Sequence, residues 1–210
     1  MQATAKRIAL FASGTGSNAR NIMAYFSSRE DVRVALLVCN KPDAPVLRIA
    51  DDFSVPTLII QRADIQEGNT PLLHALTQTY AIDFIVLAGF LWKIPATLVA
   101  HFPGRIVNIH PSLLPLHGGK GMYGMRVHEA VCAAAERESG ITIHYVNEHY
   151  DEGAVIFQAQ CPVSPGDSPG DVARKVQALE HRFFPSVVDA VLHGQPISPE
   201  RLSAHPDRPA

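Results

Sequence analysis

Asn108 and His110 stand two residues apart in RIVNIHPSLLP, residues 105–115. The apolar run in front of them reads as a fully buried strand, as does the earlier run at 83–88. An extended backbone turns residues two apart to the same side. In an open parallel sheet, ligands sit just outside the carboxyl ends of the strands. An amide and an imidazole aimed at one point there can hold an oxyanion and move a proton, so this pair marks the reaction centre. A plain turn histidine, hydrogen-bonded before Pro111, is the bland alternative. Asp151, in the connection Tyr150-Asp151-Glu152-Gly153, supplies a carboxylate that can orient the imidazole or an attacking water. Taken alone, it reads better as a hairpin-turn aspartate.

A second constellation lies near the start of the chain. Ser13-Gly14-Thr15-Gly16-Ser17-Asn18-Ala19 follows a strand and opens a helix. Glycines there let the backbone approach a phosphate, and free N–H groups at the helix start favour anions. A dinucleotide fold would also place an acid at the end of the second strand to hold a ribose. Cys39-Asn40 occupies that place, so Gly14 to Asn18 read as a cradle for a phosphate monoester, or as a tight turn that binds nothing. Phe90, Leu91 and Trp92 follow a strand end, where they fit either a flat heterocycle or ordinary core packing. The glycine-rich segment Gly118–Gly124 carries Lys120, which suits a second phosphate contact or a flexible surface loop. His128-Glu129-Ala130-Val131-Cys132 begins like a zinc motif but lacks the second histidine, and His144 and His149 straddle a strand end. No metal site is expected.

The elements that must position these residues alternate. Strands are expected at 6–12, 32–39, 57–60, 83–88 and 105–109, and helices at 18–27, 44–52, 70–80 and 95–101. Such alternation implies a doubly wound, mainly parallel α/β sheet with right-handed crossovers. Past Pro115 the pattern changes to a glycine-rich loop, a helix at 125–137 and two strands, 141–146 and 154–161, that form an antiparallel hairpin. A long final helix at 171–193 contains Pro185, which suggests a kink. One domain over 1–195 and a loose polar tail over 196–210 are expected.

The 210 residues carry a formal charge of -2, which gives no general attraction to nucleic acid or acidic membranes. Three cysteines, far apart, suit reduced thiols, and no run is apolar enough to span a bilayer. A cytoplasmic protein without nucleic-acid or membrane partners is the expectation.

SGTGSN, VLAGF, NIHPSLLP and YDEGAVI–Q together give the chain a further reading. It resembles the folate-dependent glycinamide ribonucleotide transformylases of purine synthesis, within the wider formyltransferase family, from about residue 7 to 195. The resemblance implies a Rossmann-like formyltransferase fold and transfer of the formyl group of 10-formyltetrahydrofolate to the primary amine of glycinamide ribonucleotide. It implies a catalytic group of Asn108, His110 and Asp151, in which Asn108 and a protonated His110 donate to the oxyanion. Asp151 is implied to raise the His110 pKa and to hold a water that relays the amine proton to the folate nitrogen. It implies ribonucleotide contacts from Gly14, Thr15, Gly16, Ser17, Asn18 and Glu180. A pterin pocket is implied along Phe90, Leu91, Trp92, Lys93 and Ile94, with the connection containing Asn147 opposite. No metal is implied, and the assembly expected is a monomer or homodimer. Leu91-Trp92-Lys93 stands where the family commonly has Met-Arg-Ile, and the loop HGGKGMYGMRVH is longer than usual.

The rivals are separable by sequence features. A formyltetrahydrofolate hydrolase usually carries an N-terminal regulatory domain, and a methionyl-tRNA formyltransferase a basic C-terminal one, neither of which is expected here. A nucleotide-sensing or NAD-binding module would leave Asn108, His110 and Asp151 without a role.

Overall fold

The computed structural model describes residues 5–66 and 70–197, so most of the expected polar tail lies outside the described residues. Seven strands form one sheet in the order β3-β2-β1-β4-β5-β6-β7. They are β1 (Lys6–Ala12), β2 (Val32–Cys39), β3 (Thr57–Ile59), β4 (Phe84–Leu87), β5 (Ile106–His110), β6 (Glu138–Tyr145) and β7 (Val155–Pro162). The first five pair in parallel; β6 runs antiparallel to both β5 and β7. The doubly wound sheet with an antiparallel end is therefore as the sequence implied.

Burial on both faces explains why the inner strands are almost continuously apolar. Along β1, Ile8, Leu10 and Ala12 join one core, and Ala9 and Phe11 join the other. The first core lies under α1 (Ser17–Phe26), α2 (Val46–Asp52), α5 (Met125–Ala133) and α6 (Pro169–Leu192). The second lies under α3 (Thr70–His74) and α4 (Ala96–His101). The expected helix at 70–80 is two pieces, because α3 continues as a π-helical turn over Ala75–Thr79 that Tyr80 closes onto the Ala75 carbonyl. A 3-10 turn at Arg62–Ile65, not foreseen, follows β3. The helix expected to reach 137 stops at Ala133, where Ala135 adopts a left-handed φ of 51° and turns the chain into β6.

The long helix α6 starts two residues earlier than expected, at a capping box in which Ser168 and Asp171 satisfy each other's backbone N–H groups. Pro185 lies inside it and has no N–H to give the His181 carbonyl. Asn21 of α1 takes that carbonyl instead, through its Nδ2 at 2.6 Å. The proline thus opens a docking point that fastens α6 to α1, the helix that begins at the glycine turn.

Candidate active site

The carboxyl ends of β1, β4 and β5 open into one cleft of about 810 Å³. Gly14 to Asn18, Phe90 to Ile94, Asn108, His110, Asn147, Asp151 and Glu180 all line it. Every residue expected to act on a ligand is therefore brought together. Cys39 and Asn40, at the end of β2, are outside the lining, so the cleft does not extend to where a dinucleotide's second ribose would need an acid.

At the β1 turn, Gly16 has φ 81°, and a Cβ there would stand 2.5 Å from Cγ2 of Val46. Only glycine allows that backbone to pass so close to α2. α1 starts at Ser17 with no side-chain cap, so its first N–H groups are open to a ligand. Asn18 is buried; its Nδ2 donates to Oε2 of Glu180 at 2.9 Å, and its Oδ1 is enclosed without a partner. That oxygen and the carboxylate are acceptors suited to ligand hydroxyls. Burial pushes the Glu180 carboxyl up, and the Asn18 hydrogen bond only partly offsets this. Ser13 ties the turn to the apolar slot, since its N–H donates to the Gly89 carbonyl and its Oγ accepts from the Leu91 N–H, both at 3.0 Å.

In the slot, Phe90 packs edge-on against Phe11 and Trp92, with centroids 5.3 and 6.1 Å away. Trp92 also carries the Arg62 guanidinium 4.9 Å from its ring centre. Arg62 borders an adjoining cavity of about 450 Å³ with Gln66, Lys93, Glu148 and His149. Arg62 is not legible from the sequence alone, because its approach depends on the 3-10 turn after β3.

The reaction centre is built by pairing across the sheet. Asn108 on β5 lies opposite His144 on β6. Nδ1 of His144 contacts the Tyr145 carbonyl at 2.9 Å, which requires that nitrogen to carry the proton. With the ring neutral, its Nε2 accepts from Nδ2 of Asn108 at 3.1 Å; with Nε2 protonated, it faces Oδ1 of Asp151 at 3.7 Å. The second Asn108 hydrogen faces Oδ1 of Asp151 at 3.5 Å. Asp151 has φ 57°, and its Oδ2 accepts from the Gly119 N–H at 2.8 Å. That oxygen is also 3.5 Å from Nδ1 of His110. The two 3.5 Å approaches are too long for good hydrogen bonds and leave donor and acceptor capacity for a ligand oxygen or a water.

His110 is only 4% exposed. Its Nε2 donates to the His117 carbonyl at 2.9 Å, so Nδ1 is the nitrogen turned toward Asp151. Burial pulls its pKa below the ordinary histidine value; Asp151 and the His117 carbonyl pull upward without reversing this. The expectation of a raised pKa is thus corrected: the Asp151 effect has the expected sign, but loss of water around the ring is larger. Burial pushes the Asp151 carboxyl up, yet the His144 side chain, the His110 ring and the Gly119 N–H outweigh it and hold it below the usual carboxylate range.

The loop after β5 is fastened by Thr142 of β6. Its Oγ1 donates to the Ser112 carbonyl at 2.7 Å and accepts from the Leu114 N–H and from Gln158, both at 2.9 Å. Lys120 lies along the cleft and is exposed. His128 also lines the cleft; it is buried, with Nδ1 unpartnered, and burial lowers its pKa. Among the described residues, no group of three or more His, Cys, Asp or Glu is arranged to hold a metal ion, and no helix is long and apolar enough to cross a membrane.

A mainly parallel sheet with a glycine turn opening a helix, and an Asn, His and Asp gathered at the end of β5, is an arrangement suited to a group-transfer enzyme. The chain belongs to the formyl transferase family, whose model matches residues 6–188. It is 42% identical over 190 residues to the chloroplastic phosphoribosylglycinamide formyltransferase of Arabidopsis thaliana, covering 89% of this chain and 65% of that protein. It is 34% identical over 191 residues to phosphoribosylglycinamide formyltransferase of Bacillus subtilis, covering 89% of this chain and 95% of that one. The crystal structure of glycinamide ribonucleotide transformylase 1 from Geobacillus kaustophilus superposes with a TM-score of 0.80 at 37% identity, over 90% of this chain and 99% of that chain.

Proposed function

We propose that this chain transfers the formyl group of 10-formyltetrahydrofolate to the primary amine of glycinamide ribonucleotide, a step of purine biosynthesis. The observation that carries this reading is that one cleft holds a backbone cradle for phosphate, an apolar slot for a flat ring, and Asn108, His110 and Asp151. In this reading the first N–H groups of α1 take the ribonucleotide phosphate, and Asn18 Oδ1 with Glu180 takes its hydroxyls. Phe90 to Ile94, with Asn147, lines the pterin slot. The adjoining cavity beside Arg62 and Lys93 suits the anionic end of the donor.

The chemistry follows from the resting state of His110. Buried and neutral, with its proton held on Nε2 by the His117 carbonyl, it presents a lone pair at Nδ1. The substrate amine attacks the formyl carbon, a C–N bond forms, and the carbonyl electrons move onto oxygen. The Asn108 amide donates to that oxyanion. The proton lost by the amine passes to Nδ1, directly or through a water held by Asp151, and the imidazolium so formed is stabilised by the carboxylate 3.5 Å away. Collapse of the intermediate breaks the bond to the folate nitrogen, which takes the same proton. The reaction as written uses no metal ion and no covalent enzyme intermediate.

The test is release of deformylated folate, followed by absorbance, with glycinamide ribonucleotide present or omitted. Release that depends on the ribonucleotide is the expected result. Equal release without it would make the enzyme a hydrolase, and none in either case would refute the assignment.

A further inference from the structure

His110 is steered from the opposite side of its ring by a pair of residues whose side chains take no part in the chemistry above. His117, whose carbonyl accepts the Nε2–H, sits in the left-handed region with φ 54°. That conformation is uncommon for a residue with a side chain and has to be held by its surroundings. The hold is visible: Nε2 of His117 lies 3.2 Å from Oε1 of Glu136. A carboxylate can only accept, so the His117 ring donates. Glu136 is itself fixed, because it stands in the tight turn between α5 and β6. There its N–H bonds the Val131 carbonyl at 3.2 Å and its neighbour Ala135 bonds that of Cys132 at 3.0 Å. Two residues after His117, the Gly119 N–H caps Asp151. Both groups assigned to proton transfer are therefore gripped by the backbone of His117–Gly119, and the side chain anchoring that backbone belongs to Glu136.

We propose that Glu136, acting through His117, is a positioning residue for formyl transfer: it fixes the carbonyl that keeps the His110 proton on Nε2 and leaves Nδ1 as the reacting nitrogen. The inference rests on the function proposed above. It follows a general pattern in which a backbone carbonyl or carboxylate sets the tautomer of a catalytic imidazole through the nitrogen that does not react. Here the carbonyl comes from a loop, so its position needs a separate anchor. Glu136 is half-buried and touches neither Asn108 nor Asp151, so its removal leaves the reacting groups chemically intact.

The experiment compares wild type with Glu136→Ala, Glu136→Gln and His117→Asn, reading steady-state kinetics, the melting temperature and the imidazole nitrogen shifts of His110 by NMR. The His110 signals are assigned by their loss in His110→Asn. In wild type at neutral pH, His110 is expected to be protonated on Nε2 alone. Glu136→Ala should mix the two tautomers and lower kcat roughly tenfold or more, as small misplacements of a reacting group do, with both KM values within about twofold. Glutamine keeps an acceptor oxygen and should restore tautomer and turnover. Asn tolerates the left-handed backbone but is too short to reach Glu136, so His117→Asn should behave like the alanine variant. An unchanged His110 tautomer in Glu136→Ala would overturn the proposal. So would a kcat loss that glutamine does not restore, or one that only parallels a fall in melting temperature. The NMR reading needs no substrate, so absent formyl transfer in wild type would refute the functional assignment while leaving the tautomer result to decide this one.

Discussion

Replacing Asp151 by asparagine isolates the charge of the carboxylate from its shape. The residue has φ 57°, and asparagine adopts left-handed backbone more readily than most residues, so the connection between β6 and β7 keeps its path. An amide oxygen can still accept from the Gly119 N–H. What is lost is the negative charge 3.5 Å from Nδ1 of His110, at a site where both side chains are mostly withdrawn from water. An imidazolium and a carboxylate at that separation attract by about 4–5 kcal/mol at an effective dielectric near 20. In the proposed mechanism the imidazolium forms only as the amine gives up its proton, so this attraction acts on the transition state. Allowing for competing water, kcat should fall by about 100- to 1000-fold. The KM for the ribonucleotide should hardly move, because its expected contacts lie at Gly14 to Asn18 and Glu180. The assay is ribonucleotide-dependent release of deformylated folate over a range of both substrates, with a melting curve to confirm the fold. A kcat within about threefold of wild type would refute the assigned role of Asp151.

Three further outcomes follow from the geometry. Because burial lowers the His110 pKa and the proposed mechanism uses the neutral ring, kcat/KM should be flat at neutral pH. It should decline only as pH falls through a limb below the ordinary histidine value of 6.5. Asp151 pulls that pKa upward, so Asp151→Asn should move the limb to still lower pH, and a pH–rate profile of both proteins checks the sign. Gly16→Ala places a methyl 2.5 Å from Val46 in a left-handed backbone, and should cost about 1–3 kcal/mol in denaturant unfolding and raise the KM for the ribonucleotide more than it lowers kcat. Thr142→Val keeps the packing but strands the Leu114 N–H, so a loss of about 1–3 kcal/mol in urea melts is expected.

What the sequence could show was set by how local the signal was. Asn108 and His110 were legible because an apolar strand runs straight into them and strand ends in parallel sheets face ligands. Gly14 to Asn18 were legible because a tight turn between strand and helix demands glycine at Gly16. His144 was weighed only as a metal ligand, since its place beside Asn108 depends on β6 joining the sheet next to β5. A hairpin of β6 and β7 can be inferred from its turn, but not the strand it docks on. His117 and Glu136 were invisible for a similar reason: one sits in an irregular loop and the other in the turn where α5 stops four residues short of its expected end. The lowered His110 pKa is not legible in the sequence, because pairing with Asp151 follows from a motif, whereas the depth of burial does not.

In the proposed reaction, Asn108, His110 and Asp151 promote direct transfer of a formyl group from a folate to an amine. The most direct test uses a donor labelled with 13C in the formyl group and follows the label by NMR, for wild type and His110→Asn side by side. The label should appear as a formamide on glycinamide ribonucleotide in wild type, and at least about 100-fold more slowly in the variant. Label accumulating as free formate, or transfer by the variant at the wild-type rate, would contradict it.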